Sequence, residues 1–305
     1  MNHVIYMPGS IPIPATDFTG RAINRISWPT NTAVDVTVFP DGETAIRIPT
    51  NIGPHSEVIL VGECSTPLAS EVFLAAAYEI ASKGPQSLRI VNTYFRHARS
   101  ERESDYGHAA LAKFQARQWS GIGRIFPGVQ LEFVELHKDL IRHYFEGPVI
   151  TKNWEFRGLL QRTMRNNLSL KNPVYATVDE GGVDAARALA RDEKVGFAFI
   201  VKKRLSGTET EIRDVLGDNV KGRDVAIFDD IISTGTSMVH AIEAFKARGA
   251  NFIVAAATHG VFVNDAVERM IAAGVNQIMV TDSHPNANKV AALHPKVVQV
   301  VPLDF

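Results

Sequence analysis

The stretch VAIFDDIISTGTSMVHAIEAFKARGA, residues 225–250, decides how the rest of the chain is read. Val225, Ala226, Ile227 and Phe228 form a short continuous apolar run, the pattern of a strand covered on both faces of a parallel sheet. Asp229 and Asp230 stand at its carboxyl end, where open α/β sheets bind their ligands. Two adjacent acids there can accept hydrogen bonds from vicinal sugar hydroxyls or help hold a hydrated metal ion. Ser233, Thr234, Gly235, Thr236 and Ser237 follow, and the next apolar-periodic segment predicts a helix starting near Ser237. Gly235 permits an unusual φ and close approach, so the turn's N–H groups and the positive end of the helix can wrap a phosphate. A plainer reading makes the acids helix caps and STGTS an ordinary connection. The coincidence of strand, paired acids, hydroxyl-rich turn and helix favours a ligand site.

Outward from this segment, strands and helices alternate. In the second half, strands are expected over 174–178, 196–201, 252–257 and 277–281, with helices over 183–192, 238–248 and 265–273. The first half offers strands over 4–7, 34–39, 58–61, 88–91 and 131–136, with helices over 68–82, 108–120 and 138–145. Residues 296–302 are apolar enough for a last strand, whose domain is left open. The alternation predicts two doubly wound, mostly parallel α/β domains. With Gly147 and Pro148 as the break, they span residues 1–147 and 148–305.

The 305 residues suffice for two cores, and 45% hydrophobic and 21% charged residues describe a soluble globular chain. A net charge of -1 lacks the basic excess of a dedicated nucleic-acid binder. Any phosphate recognition must therefore be local. The one cysteine, Cys64, excludes an internal disulfide and reads as a small core residue. No run approaches the ~20 apolar residues of a membrane span, and no leader is evident. A cytoplasmic protein is expected.

Residues 229–237 resemble the ribose-5-phosphate/PRPP motif shared by type I phosphoribosyltransferases and ribose-phosphate pyrophosphokinases, where PRPP is phosphoribosyl pyrophosphate. Further patches resemble the pyrophosphokinase family in the family's order. FPDGE, residues 39–43, sets Phe39 to stack on a purine, with Asp41 and Glu43 to accept from its amino group; a hairpin turn is the bland alternative. YFRHARSER, residues 94–102, carries Arg96, Arg99 and Arg102, whose guanidinium forks suit a triphosphate. It departs from the family in having Ser100 where a glutamine is expected, and an unfamiliar segment follows. The resemblance assigns Arg99, Glu101 and Arg102 to the nucleotide. ELHKDLIRHYF, residues 135–145, places His137 at a strand end, near the triphosphate or Mg²⁺. VDEGG, residues 178–182, offers Asp179 to Mg²⁺ or sugar. KKR, residues 202–204, matches the family's catalytic loop, with Lys202 and Arg204 as cations for the transferring phosphate and residues 205–218 as a mobile lid. ATHGV, residues 257–261, is expected to pack near the ribose phosphate.

The resemblance implies a type I phosphoribosyltransferase-like fold and transfer of the β,γ-diphosphoryl group of Mg·ATP to ribose 5-phosphate, giving PRPP and AMP. It also implies a homo-oligomer, a dimer or a multiple of dimers, because the family's FPDGE loop reaches a neighbouring nucleotide site. The turn alone would equally fit a PRPP-using phosphoribosyltransferase. A catalytically silent relative of the synthetase is the non-enzymatic alternative, opposed by the presence of Lys202, Arg204 and both acids.

Overall fold

The structure is a computed structural model that describes residues 2–7, 30–102, 107–204 and 210–303. It divides into two compact units. The first comprises Met1–Glu155, Ser283–Pro285 and Leu303–Phe305, and the second Phe156–Asp282 and Asn286–Pro302.

In the first unit the strands are β1 (Asn2–Tyr6), β2 (Thr30–Ala33), β3 (Asp35–Val38), β4 (Thr44–Arg47), β5 (Glu57–Gly62), β6 (Ser87–Asn92), β7 (Val129–Val134) and β8 (Val149–Trp154). The helices are α1 (Pro67–Ser82), α2 (Leu111–Ser120) and α3 (Ile122–Ile125). Six strands pair in parallel in the order β2-β1-β5-β6-β7-β8, and β3 and β4 form a separate antiparallel hairpin. Val58, Leu60, Leu88, Ile90, Leu131 and Phe133 pack one face of the sheet against Phe73, Ala77 and Ile80 of α1 and Ala112 and Trp119 of α2. Cys64 lies in this core, its thiol pushed up to about 12 by burial. That places it with the packing residues, as its apolar setting suggested.

The second unit contains α4 (Arg157–Asn167), β9 (Val174–Thr177), α5 (Val183–Glu193), β10 (Gly196–Arg204), β11 (Thr210–Gly217), β12 (Asp224–Ile232), α6 (Thr236–Ala247), β13 (Phe252–Gly260), α7 (Ala266–Ala273), β14 (Gln277–Thr281), α8 (Asn286–Leu293) and β15 (Val298–Val301). Its sheet has the order β11-β10-β9-β12-β13-β14-β15, parallel except for β10 against β11. From β9 the chain winds first to β10 and then returns to lay β12 on β9's other side. The switch point of this doubly wound sheet thus lies between β9 and β12, where such sheets bind ligands beyond their strand ends.

Several elements differ from the sequence reading. The turn at Gly147–Pro148 lies inside the first unit, because β8 follows it and pairs with β7. Residues 138–145, expected as a helix, hold the 3-10 segment Asp139–Tyr144. β2 and β11 lack the apolar period that marks a strand, and β11 runs through the segment expected to be a weakly structured lid. The lid's tip, residues 205–209, lies outside the described residues. The final strand, β15, joins the second sheet beside β14.

Candidate active site

β12 continues to Ile232, so the two acids stand inside the strand, sixth and seventh of its nine residues, rather than beyond it. Asp229 is paired in register with Ala257, and Ile232 with Gly260. Asp230 is 6% exposed, and its backbone N–H donates to Asp229 Oδ1 at 2.9 Å. Burial holds the Asp229 carboxyl well above the usual value of 3.8, reinforced by the charge of Asp230, a hydrogen bond between the two carboxyls and the charge of Asp179. Three carboxylates from the ends of β9 and β12 thus feel one another, as like charges in a shared site must. A sugar's hydroxyl donors or a cation would relieve that repulsion.

The turn after β12 is organised by what happens to its carbonyls. Ile232 O accepts from Val261 and Phe262 N–H, and Ser233 O from Val263 N–H, all at 2.9–3.0 Å. Thr234 O accepts from Arg269 Nη1 at 3.2 Å, and Gly235 O from Val239 N–H at 2.8 Å. With its acceptors engaged by protein, the turn keeps its donors: among the described residues the N–H groups of Thr234, Gly235 and Thr236 meet no protein acceptor. α6 begins at Thr236 without a side-chain cap. The Thr236 N–H and the positive dipole end of the helix therefore remain available to an anion.

Gly235 is required twice over. Its φ is +74°, and a Cβ there would sit 3.3 Å from Ala266 O and 3.4 Å from Ala266 Cβ. The loop that seals the turn's outer side comes from β13 and is held by Asn286 Nδ2 donating to Val261 O at 2.8 Å. ATHGV thus packs behind the turn as expected. Its His259 forms a bridge to Asp282 in the sheet and is 4% exposed, which suits packing.

Asp179 follows β9 and caps the short 3-10 segment Glu180–Gly182, its Oδ1 accepting from Gly181 N–H at 2.9 Å. It is both the helix-terminus residue of the bland reading and a carboxylate coupled to Asp229. No group of three or more His, Cys, Asp or Glu among the described residues is arranged to enclose a metal ion. His137 and Asp179, expected to share one, belong to different units. Mg²⁺ commonly keeps its waters and binds one or two carboxylates plus substrate phosphates.

Lys202 and Arg204 are the last residues but two and the last of β10, at the carboxyl end of the strand; their side chains lie outside the described residues.

In the first unit, FPDGE is the tip of the β3–β4 hairpin. Phe39 N–H donates to Glu43 O, Gly42 N–H to Phe39 O, and Asp41 Oδ1 accepts from Glu43 N–H at 3.1 Å. The turn reading holds for the backbone. The side chains are another matter: Phe39 is 45% exposed and Val38 54%, and Asp41 and Glu43 are exposed too. Arg99 and Arg102 are exposed, whereas Glu101 is half-buried, with its carbonyl accepting from Tyr144 Oη at 2.7 Å. Arg96 Nε donates to His97 Nε2 at 3.1 Å beside a cavity of about 940 Å³ between α1 and α2. Ser100 ties its loop to α2, since its carbonyl accepts from Ala112 N–H and its Oγ donates to Ala109 O. His137 is half-buried just beyond β7.

The chain is 33% identical over 264 residues to the ribose-phosphate pyrophosphokinase of Vibrio parahaemolyticus, spanning 84% of this chain and 80% of that one. The chain belongs to the ribose-phosphate pyrophosphokinase family. A second member, from Aquifex aeolicus, is 30% identical over 82% of this chain and 78% of its own. The phosphoribosyl synthetase-associated domain matches residues 184–303, which include the turn. Phosphoribosylpyrophosphate synthetase from Mycobacterium smegmatis has the same fold, with a TM-score of 0.76 at 21% identity, covering 100% of this chain and 95% of that one. The family is one of diphosphotransferases.

One residue at the turn carried no sequence signal. Arg269 lies in α7, a helix with no motif, and only the three-dimensional path of the chain brings its guanidinium to Thr234 and Thr236.

Proposed function

We propose that the protein transfers the β,γ-diphosphoryl group of Mg·ATP to the 1-hydroxyl of ribose 5-phosphate. The hydroxyl oxygen bonds to the β-phosphorus, the bond from that phosphorus to the oxygen of the α-phosphate breaks, and the hydroxyl proton is released. The products are PRPP and AMP. The observation that carries this reading is the 33% identity to a ribose-phosphate pyrophosphokinase over 84% of this chain, and the turn after β12, with its acceptors engaged, its donors open and paired carboxylates just before it, supports a sugar-phosphate site within that reading. The 5-phosphate fits the amides of Thr234, Gly235 and Thr236 and the hydroxyls of Ser233, Thr234, Thr236 and Ser237. Asp229 and Asp230 suit the ribose hydroxyls.

Mg²⁺ enters as part of the nucleotide substrate and neutralises phosphate charge, with Asp179 and His137 as its protein-side candidates. In such a transfer the protein's work is chiefly alignment and charge stabilisation. Lys202 and Arg204 are assigned that role on their match to the family's motif. Phe39, Asp41, Glu43, Arg99, Glu101, Arg102 and His137 are assigned to ATP on the same ground. An exposed Phe39 at a hairpin tip is consistent with completion by a neighbouring copy, hence with a homo-oligomer. No helix of the described residues is long and apolar enough to cross a membrane, which accords with a cytoplasmic site of action.

Incubation with Mg·ATP and ribose 5-phosphate should yield AMP and PRPP one for one. Absence of turnover with every nucleoside triphosphate tried would remove the proposal. Cleavage of PRPP with a nucleobase would replace it with a phosphoribosyltransferase.

A further inference from the structure

Arg269 reaches the phosphate turn from α7. Its Nη1 donates to Thr234 O at 3.2 Å, and both terminal nitrogens lie 3.4 Å from Thr236 Oγ1. Among the described residues it makes no ion pair, although its neighbour Glu268 pairs with His294 and other arginines of the unit, such as Arg248 with Asp214, have acidic partners. Its helix starts close beside the turn, since a Cβ added at Gly235 would fall 3.3 Å from Ala266 O. A guanidinium without a carboxylate, ordered in exposed hydrogen bonds against a carbonyl and a hydroxyl, gives up rotamer freedom that a merely decorative surface side chain would keep.

We propose that Arg269 is a positioning residue for the sugar-phosphate subsite, an inference that rests on reading the turn as that subsite. Its planar fork spans two residues of the turn at once. Holding Thr234 O fixes the peptide whose N–H, on Gly235, faces the other way. Donating to Thr236 Oγ1 occupies that hydroxyl as an acceptor, so its own proton must go elsewhere. Thr234 Oγ1 lies 3.2 Å away, where either hydroxyl can be the donor in the free turn, and a phosphate oxygen can take the Thr236 proton when ligand is bound. The uncompensated positive charge favours a dianionic phosphate over a neutral sugar. A lysine, with a point charge in place of a fork, cannot span both partners with the same geometry.

The test uses Arg269→Gln and Arg269→Lys in the full-length protein. Calorimetry without nucleotide measures ribose 5-phosphate and inorganic phosphate binding, and steady-state kinetics measures both substrates. Arg269→Gln should weaken both phosphate ligands about tenfold, the scale of one charge-assisted contact network. It should raise KM for ribose 5-phosphate while leaving KM for ATP unchanged, with Arg269→Lys recovering part of the loss. If Arg269→Gln folds poorly, Arg269→Lys against the wild type reads the same split. Unchanged sugar-phosphate affinity in a folded variant, or equal losses for both substrates, would overturn the inference alone. Failure of the wild-type protein itself to bind ribose 5-phosphate would overturn the reading of the turn beneath it.

Discussion

The phosphate turn after β12 and the FPDGE tip of the β3–β4 hairpin are both short polar turns at strand ends, yet they are built oppositely. At the first, carbonyls of four successive residues are engaged by protein, a glycine is locked at positive φ, and a second helix braces the outside. At the second, the backbone closes on itself while Phe39, Asp41 and Glu43 stand in solvent. The first has its backbone fixed by protein contacts within one chain. The second offers side chains without a pocket of its own. A diphosphoryl transfer needs its acceptor fixed in line with the donor, so preorganisation is worth most at the small sugar phosphate.

Substitutions can break or sharpen this contrast. The largest effect is expected at the end of β10: Lys202→Ala should lower turnover by roughly 10² to 10³-fold, the scale of losing one preorganised charge-stabilising donor. Substrate affinity should change far less. Full turnover with only ATP affinity lost would move Lys202 to ground-state binding.

Gly235→Ala tests the preorganisation itself. An alanine forced into the left-handed region costs roughly 1–2 kcal/mol, and its methyl would press on Ala266. Ribose 5-phosphate binding should weaken with a lowered Tm, read by calorimetry and thermal melting. An unaffected affinity would mean that the turn is shaped by ligand after all.

Asp229→Asn should act with the opposite sign on stability. The folded carboxyl is held above its unfolded value of 3.8, so between those two values the native state binds the extra proton and stability falls as pH rises. The asparagine variant escapes that loss. Its ligand-free Tm should exceed the wild type's by a margin that grows as pH rises through the raised value and then levels off, while activity falls. A margin independent of pH would show that repulsion among the acids is not the cause.

The sequence made the parallel architecture and the strand–turn–helix path through Ser233–Ser237 legible because apolar runs such as Val225–Phe228 and Val58–Val61 need no tertiary context to be recognised. It misjudged segments whose order comes from pairing rather than from their own pattern. β11 reads as a polar lid, but it is held by backbone bonds to β10. β8 was hidden behind a Gly-Pro turn that resembles a domain break. Arg269 could not be found at all, since a single arginine in a helix means nothing until the fold brings it 33 residues back to Thr236.

The contrast between the two turns is tested most directly by a crossed measurement of KM for both substrates in Asp230→Asn and Phe39→Ala. Asp230 is buried within β12 and is proposed to take the sugar, so its change should raise KM for ribose 5-phosphate more than KM for ATP. Phe39 is an exposed residue whose loss should leave stability within about 0.5 kcal/mol while raising KM for ATP alone. Equal shifts for both substrates in either variant would contradict the division of labour between the two turns.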